Sequence, residues 1–287
     1  DKDTFVEVNT LMQSHQRDIC LPTPHIPGDG VVTGYGQING RWVFAAAEDF
    51  TVVGGTLGEY HSQKIIRVMD MALRMRTPFV MVNDSGGARI EEGISSLSGY
   101  SGIFLRNTQA SGVIPQIAVI AGPCAGGACY SPAICDFIFM VEKTSQMFIT
   151  GPQVIKTVTG EQVGINELGG VQVHTAVSGV AHFSYPDDET TLLAVRRLLT
   201  YLPQSNSEQP PIVVGKPQDR SSGLEEIVPQ NSRKAYDVHK VIDTFVDLDS
   251  FYEVQRDFAC NAVIGLARMD GQVIGIVANQ PSFIGGA

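Results

Sequence analysis

The stretch Phe79-Val80-Met81-Val82-Asn83-Asp84-Ser85-Gly86-Gly87-Ala88-Arg89 decides the fold class. Its apolar first half predicts a buried strand, and its glycine-rich second half predicts a tight turn at the carboxyl end of that strand. Residues 116–128 repeat this order, with a strand predicted over 116–121 and a turn over 122–128. Repeated strand–loop–helix units predict an α/β fold whose loops gather at the carboxyl ends of the strands.

Hydrophobic periodicity supplies the other elements around these two units. The predicted strands are a hairpin over 31–47 and single strands over 137–141 and 147–149. The predicted helices cover 59–76, 97–110, 188–201 and 235–246, and a short one starts near Gly127.

Two distant segments resemble each other, Gly34 to Val43 and Gly265 to Ile274. Asn39-Gly40 and Asp270-Gly271 supply the positive φ angles of a type I′ hairpin turn. Their separation is too long for a solenoid repeat, so we interpret them as the starts of two tandem lobes. A polar, proline-rich run near 203–220 favours a boundary there. We expect residues 1–220 to form the first lobe and residues 221–287 to begin an incomplete second one.

Composition excludes several classes of function. The net charge of −10, from 30 acidic and 20 basic residues, argues against a nucleic-acid partner. The five cysteines form no C-x-x-C pair, which favours neither a disulfide framework nor a metal site and fits a reducing compartment such as the cytoplasm or the mitochondrial matrix. No apolar run approaches the length that a membrane span needs.

The two glycine-rich turns offer backbone N–H groups at strand ends. Neither turn has the spacing of a P-loop or of a dinucleotide site. Two such donors converging on one carbonyl oxygen would make an oxyanion hole. The alternative is that Gly86-Gly87 and Gly126-Gly127 merely permit tight turns.

A side-chain base is not evident. No G-x-S-x-G elbow occurs, the six histidines fit no ligand pattern, and Glu91 and Glu92 diverge on a helix. This combination is expected if the base arrives on a cofactor. Arg89 either binds a phosphate or carboxylate, or forms an ion pair with Glu91 or Asp84. Gly54-Gly55 either admits a flat ligand to the backbone or is a plain loop.

Taken together, seven segments resemble the carboxyltransferase subunits of biotin-dependent acyl-CoA carboxylases and decarboxylases. This family includes the β subunit of propionyl-CoA carboxylase, the α subunit of methylmalonyl-CoA decarboxylase and the large subunit of transcarboxylase. The segments are 48–58, 83–90, 110–116, 122–132, 148–152, 167–170 and 178–182.

The resemblance implies a tandem crotonase-type fold, the ClpP/crotonase-like β-β-α superhelix, with its second lobe truncated. It implies that the first lobe binds the acyl-CoA and that Gly126 and Gly127 are the catalytic oxyanion amides, with Ala88 as a further donor. The implied substrate-binding residues are Gly86, Gly87, Arg89, Gly54, Gly55, Ala125 and Ala128.

The resemblance also implies cofactors and partners. Biotin would arrive on a biotin carboxyl carrier protein, with a biotin carboxylase or a decarboxylase membrane subunit as a further partner and no metal in this chain. The active site would lie between subunits of a homo-oligomer, dimers within a hexamer. The direction of CO2 transfer and the acyl chain stay open, with propionyl-CoA and methylmalonyl-CoA favoured. Two other hypotheses are a crotonase-type hydratase or hydrolase with its own base, and a non-catalytic assembly module.

Overall fold

The computed structural model describes residues 1–14, 26–213, 223–231 and 234–285. Cys20, His15, His25 and part of the predicted linker lie outside these residues. The strands of the main sheet are β1 (Val6–Glu7), β2 (Val31–Ile38), β3 (Arg41–Glu48), β4 (Phe79–Ser85), β5 (Gln116–Ala125), β6 (Phe137–Val141), β7 (Gln146–Phe148) and β8 (Phe183–Tyr185). Their order is β1-β2-β3-β4-β5-β6-β8, and β7 pairs with the end of β5.

Helices and a small second sheet complete the described chain. The helices are α1 (Glu59–Met75), α2 (Ile94–Ala110), α3 (Tyr130–Ala133), α4 (Pro152–Thr159), α5 (Ile165–Gly169), α6 (Asp188–Tyr201), α7 (Leu224–Ile227) and α8 (Val238–Asp243). The second sheet contains β9 (Tyr252–Val254), β10 (Ala262–Met269) and β11 (Gln272–Asn279). In the part of the chain described, no helix combines the length and the apolar character that crossing a membrane requires.

The main sheet is covered on both faces, which explains its continuous apolar strands. Alternate residues of β4 and β5 enter different cores. One core packs the sheet against α1 and α2, and the other packs it against α6 and the second sheet. Because β3, β4, β5 and β6 pair in parallel, their carboxyl ends meet at one edge.

Most predicted elements are confirmed, with differences at their ends. The strand over 137–141 and the helix over 188–201 have the predicted bounds, whereas the helix predicted over 235–246 covers only Val238–Asp243. The turn predicted over 122–128 is wrong in its first half. Residues 122–125 continue β5, because Pro123, Cys124 and Ala125 pair in parallel with β7.

The predicted pair of hairpins is confirmed, and each has a third strand. Asn39 and Asp270 both have a φ of 52°, and a glycine follows each. β1 pairs with β2 as β9 pairs with β10, placing Glu7 opposite Gly34 and Glu253 opposite Gly265.

The same kind of contact requires a glycine at both positions. A Cβ at Gly34 would lie 2.7 Å from the ring of Phe5, and one at Gly265 would lie 2.6 Å from the ring of Phe251. The segments Asp3 to Val8 and Asp249 to Val254 are therefore part of the same repeat.

The carboxyl end of α6 joins the two hairpins. Arg41 donates to the carbonyl oxygens of Leu199 and Leu202 at 2.6 and 2.9 Å. Arg268, which is 6% exposed, donates to Thr200 at 2.5 Å and stacks on Tyr201. Cations at this end of a helix satisfy its unpaired carbonyl groups and oppose its dipole.

Part of the predicted linker is also packed on the first lobe. Ser205 is fully buried, and Asn206 donates to the carbonyl oxygen of Gly112 at 2.9 Å. Residues 214–222 are not described, so the boundary between the lobes stays a prediction.

Replacing Arg268 should measurably loosen the second hairpin. Arg268→Ala is expected to lower the free energy of unfolding by about 2–3 kcal/mol, because buried carbonyl groups lose a charged donor. Chemical denaturation measures this, with the exposed Arg74→Ala as the control, expected to stay within about 0.5 kcal/mol of the parent. Equal stability of both variants would show that Arg268 does not hold the hairpin.

Candidate active site

The turns that follow β4 and β5 touch each other at the carboxyl edge of the sheet. Gly87 has a φ of +104°, and a Cβ placed on it would lie 2.8 Å from the carbonyl oxygen of Ala125 and 3.9 Å from the nitrogen of Gly127. A side chain at Gly87 would therefore force the two turns apart. This contact brings the predicted glycine pairs together.

The amides of Gly86 and Gly87 are used within the protein. Gly86 N–H donates to the Gly54 carbonyl oxygen at 2.9 Å, and Gly87 N–H donates to Ser85 Oγ at 3.2 Å. Ser85 Oγ in turn donates to the Gly55 carbonyl oxygen at 2.7 Å. Neither glycine of the first turn is therefore a free donor.

Gly54 and Gly55 belong to a 3-10 turn that supports this arrangement. A Cβ at the buried Gly55 would lie 2.0 Å from the carbonyl oxygen of Asp84. This loop has a structural role, because its backbone packs directly on the end of β4.

Ala88 is the exception in the first turn. The residues on either side of Ala88 are both hydrogen-bonded to Leu57. Leu57 N–H donates to Gly87 O at 2.9 Å, and Leu57 O accepts from Arg89 N–H at 3.0 Å. The N–H of Ala88 has no partner among the described residues, and Ala88 is half-buried rather than enclosed.

The second turn begins with two further amides. Gly126 and Gly127 open a 3-10 turn over Gly126–Cys129, so their N–H groups precede its first internal hydrogen bond. The internal hydrogen bonds of this turn use neither amide. Gly126 has a φ of +58°, and a Cβ at Gly127 would lie 2.9 Å from the ring of Tyr100.

The alanines on either side of these glycines differ in their burial. Ala125 is half-buried and carries the carbonyl group that Gly87 contacts. Ala128 is only 4% exposed and belongs to the core on the side of α1 and α2. The Ala128 side chain is thus enclosed, and a role of Ala128 in substrate binding stays a prediction.

Arg89 is buried and engaged in ion pairs, so its role as a substrate-binding residue stays a prediction. Its Nη1 lies 2.6 Å from Asp29 Oδ1 and 2.8 Å from Glu92 Oε1, and its Nη2 donates to Thr56 O at 2.8 Å. The predicted ion pair exists, but its partners are Asp29 and Glu92 instead of Glu91 or Asp84.

This ion-pair network fixes the first turn against α1. Glu92 also accepts from Glu59 N–H at the start of that helix, where a carboxylate opposes the dipole. Asp29 Oδ2 accepts from His61 N–H at 2.9 Å. The position of Ala88, one residue before Arg89, is thus set by buried charges.

A group of polar side chains that the sequence did not connect with one another lies behind the turns. Glu48 Oε2 accepts from Asp84 N–H at 3.1 Å, and Glu48 Oε1 lies 3.5 Å from His61 Nε2. Burial, reinforced first by Glu48, raises the pKa of Asp84 to about 6. Burial also raises the pKa of Tyr100 above its ordinary value. Tertiary contacts, rather than a local motif, define this group.

Backbone amides at two touching turns are suited to holding negative charge. The closest atom to a Cβ at Gly126 would be the Ile149 carbonyl oxygen at 3.9 Å, and the closest to one at Gly127 belong to Tyr100. The arrangement offers donors for an oxyanion.

Comparisons with known proteins agree with this geometry. A family model described as "Carboxyl transferase domain" matches residues 1–287. The carboxyltransferase subunit of propionyl-CoA carboxylase from Haloferax mediterranei is 53% identical, over 98% of this chain and 55% of its own length. Subunit alpha of methylmalonyl-CoA decarboxylase from Veillonella parvula is 50% identical, over 100% of this chain and 57% of its own.

A solved structure of transcarboxylase 12S, a hexamer with methylmalonyl-coenzyme A and methylmalonic acid bound, superposes with a TM-score of 0.96. It is 49% identical and covers 100% of this chain and 56% of that one. The chain spans about half the length of the curated relatives it matches. The predicted α/β fold of crotonase type and the predicted family are confirmed, and the chain belongs to the carboxyl transferase domain family.

Proposed function

We propose that the whole protein transfers CO2 between carboxybiotin and a short-chain acyl-CoA, and that this chain contributes the acyl-CoA side of the site. The observation that carries the proposal is the meeting of the unpaired Ala88 amide with the turn that begins at Gly126 and Gly127. Relatives named for propionyl-CoA and methylmalonyl-CoA support these acyl groups as substrates.

The amides act on the thioester oxygen. Removing the α-proton of an acyl-CoA gives an enolate whose negative charge lies largely on that oxygen. Preorganised N–H donors stabilise such charge by roughly 3–4 kcal/mol each when the site excludes water. The enolate carbon then attacks CO2, and the reverse sequence decarboxylates the malonyl-type thioester.

Biotin, carried by a partner protein, would supply the base and the CO2. The donor set fits this division, because backbone N–H groups stabilise negative charge but cannot accept a proton. The residues of this chain hold the thioester and its charge. We assign the residues that bind biotin to the second lobe.

Exposed apolar side chains support a homo-oligomer. An apolar rim, defined as Ile90, Ile94, Leu97, Ile149, Val154 and Val158, contains residues that are all more than half exposed. Ile90 follows the first donor turn directly, the Ile149 carbonyl oxygen is the atom nearest to a Cβ at Gly126, and α4 has no buried residue. Exposed apolar clusters of this kind mark interaction surfaces. We assign the rim to the contact with a neighbouring subunit.

An exchange assay on the full-length protein tests the function. With free biotin and methylmalonyl-CoA, acyl-labelled propionyl-CoA should yield labelled methylmalonyl-CoA only when biotin is present. Hydrolysis of the thioester without biotin would favour the hydrolase hypothesis instead. No turnover by an intact oligomer would favour an assembly module.

Closing the space at the second turn should reduce turnover more than binding. Gly127→Ala places a methyl group against the Tyr100 ring and shifts the amide, so kcat should fall about 100-fold to 1,000-fold, as for loss of one oxyanion donor. The KM for propionyl-CoA should change by less than about threefold, because the bulk of CoA binding is unaffected.

The matched control for Gly127→Ala is Gly164→Ala. Gly164 is exposed, has an ordinary φ of −72°, and has only Glu167 atoms near, at 3.9 Å. Its variant should retain parental kcat. Unchanged kcat in Gly127→Ala, with the protein folded, would remove that amide from the mechanism.

A further inference from the structure

β4 and β5 lose their register immediately before the donor turns. Asn83 pairs with Ile120, but Ser85 pairs with Cys124. A single residue of β4, Asp84, therefore spans residues 121–123 of β5. Bulges of this kind bend a strand and redirect the residues beyond it.

The Asp84 side chain fills the space that this bulge opens. A Cβ at Gly122 would lie 2.1 Å from Asp84 Oδ1 and 3.0 Å from Oδ2, so the carboxyl group lies directly on the β5 backbone. Asp84 N–H is bonded to Glu48 at the end of β3. Asp84 thus contacts the strands on both sides of β4.

Its position in the sequence gives this contact a consequence. Asp84 precedes the turn that carries Ala88, and Gly122 precedes the turn that carries Gly126 and Gly127. A side chain inserted between these strand ends would set the distance between the donor amides. Misplacement by about 1 Å can reduce a rate by about 100-fold, so such a wedge matters for turnover.

The charges that shift the pKa of Asp84 are all acidic. Glu48 and Asp49 face it from the end of β3 and Asp188 from the start of α6, and all three raise its pKa. Among the described residues, Oδ1 is buried without a hydrogen-bond partner. The neutral carboxyl group is therefore favoured relative to an exposed aspartate, and its volume rather than its charge suits the site.

We propose that Asp84 is a positioning residue whose carboxyl group, seated against Gly122, sets the separation between the amide of Ala88 and those of Gly126 and Gly127. The proposal rests on the proposed function. It assigns to Asp84 no contact with the substrate.

Kinetics of the full-length protein test it through four variants in the exchange assay. Asp84→Ala should lower kcat about 100-fold and leave the KM for propionyl-CoA within about threefold, because the donors are displaced and the CoA contacts are kept. Asp84→Asn, which preserves shape without charge, should stay within about fivefold of the parental kcat. Gly122→Ala should resemble Asp84→Ala, since its methyl group displaces the carboxyl group.

The double variant Asp84→Ala/Gly122→Ala gives the sharpest outcome. Its new methyl group occupies the vacated space, so its kcat should equal or exceed that of Asp84→Ala, whereas independent effects would multiply. Asp49→Asn, an exposed neighbour of Asp84, is the charge control and should behave like the parent.

Stability against pH provides a readout that does not need the reaction. The pKa of Asp84 is about 6 in the folded chain and ordinarily 3.8, so its ionisation opposes folding. The stability that the neutral Asp84 carboxyl group contributes is present at low pH. It is lost as the pH rises from about 4 to 6. Asp84→Asn should therefore gain in melting temperature over the parent more at pH 8 than at pH 5.

The outcomes separate the two proposals. No exchange by the parental protein overturns the proposed function, whatever the variants do. Exchange by the parent together with parental kcat in Asp84→Ala, or with equal losses in Asp84→Asn and Asp84→Ala, overturns the positioning role alone. Should Asp84→Ala fail to fold, parental kcat in Gly122→Ala overturns it equally.

Discussion

The contact between the backbone of Gly87 and the carbonyl group of Ala125 is the constraint on which the site depends. It requires a residue without a Cβ and with a φ of +104°. Parallel pairing of β4 and β5 brings both strand ends to one edge, and packed cores on each face of the sheet hold them there. The donor turns meet because the strands that lead to them are neighbours.

The same constraint explains which amides are open. The first turn uses the N–H groups of Gly86, Gly87 and Arg89 to bind itself to its surroundings, and Ala88 is left. In the second turn, the helical turn itself cannot satisfy its first amides, those of Gly126 and Gly127. Backbone donors held in this way need little reorganisation when charge develops nearby.

Buried charges make the first turn rigid. Arg89 and Asp29 are almost fully enclosed, and an enclosed ion pair stabilises a fold only when its remaining donors and acceptors are satisfied. Here Glu92, Thr56 and His61 supply those bonds. Such a network specifies one geometry, which is what a site made of backbone groups requires.

Much of this arrangement could be predicted from the sequence. Apolar runs, hairpin turns and paired glycines are local signals, and they indicate the strands, the tandem hairpins and the two turns. The partners of Arg89 and the bulge at Asp84 depend on strand register and tertiary packing, which periodicity does not encode. The extension of β5 through Pro123 depends on pairing with β7, and its glycine-rich composition conceals it. Phe5 and Phe251 lie in similar hexapeptides, but the sequence alone does not explain the similarity. The structure explains it, because each ring packs against a glycine of the neighbouring strand.

Infrared difference spectroscopy tests most directly whether the open amides hold the thioester oxygen. Propionyl-CoA labelled with ¹³C at the thioester carbonyl would be bound to the full-length protein, and its stretching band compared with that in water. Donors converging on the oxygen polarise the bond and move the band to lower wavenumber in the complex, with a smaller displacement in Gly127→Ala. A band at the same position in the complex and in water would mean that these amides do not contact the thioester.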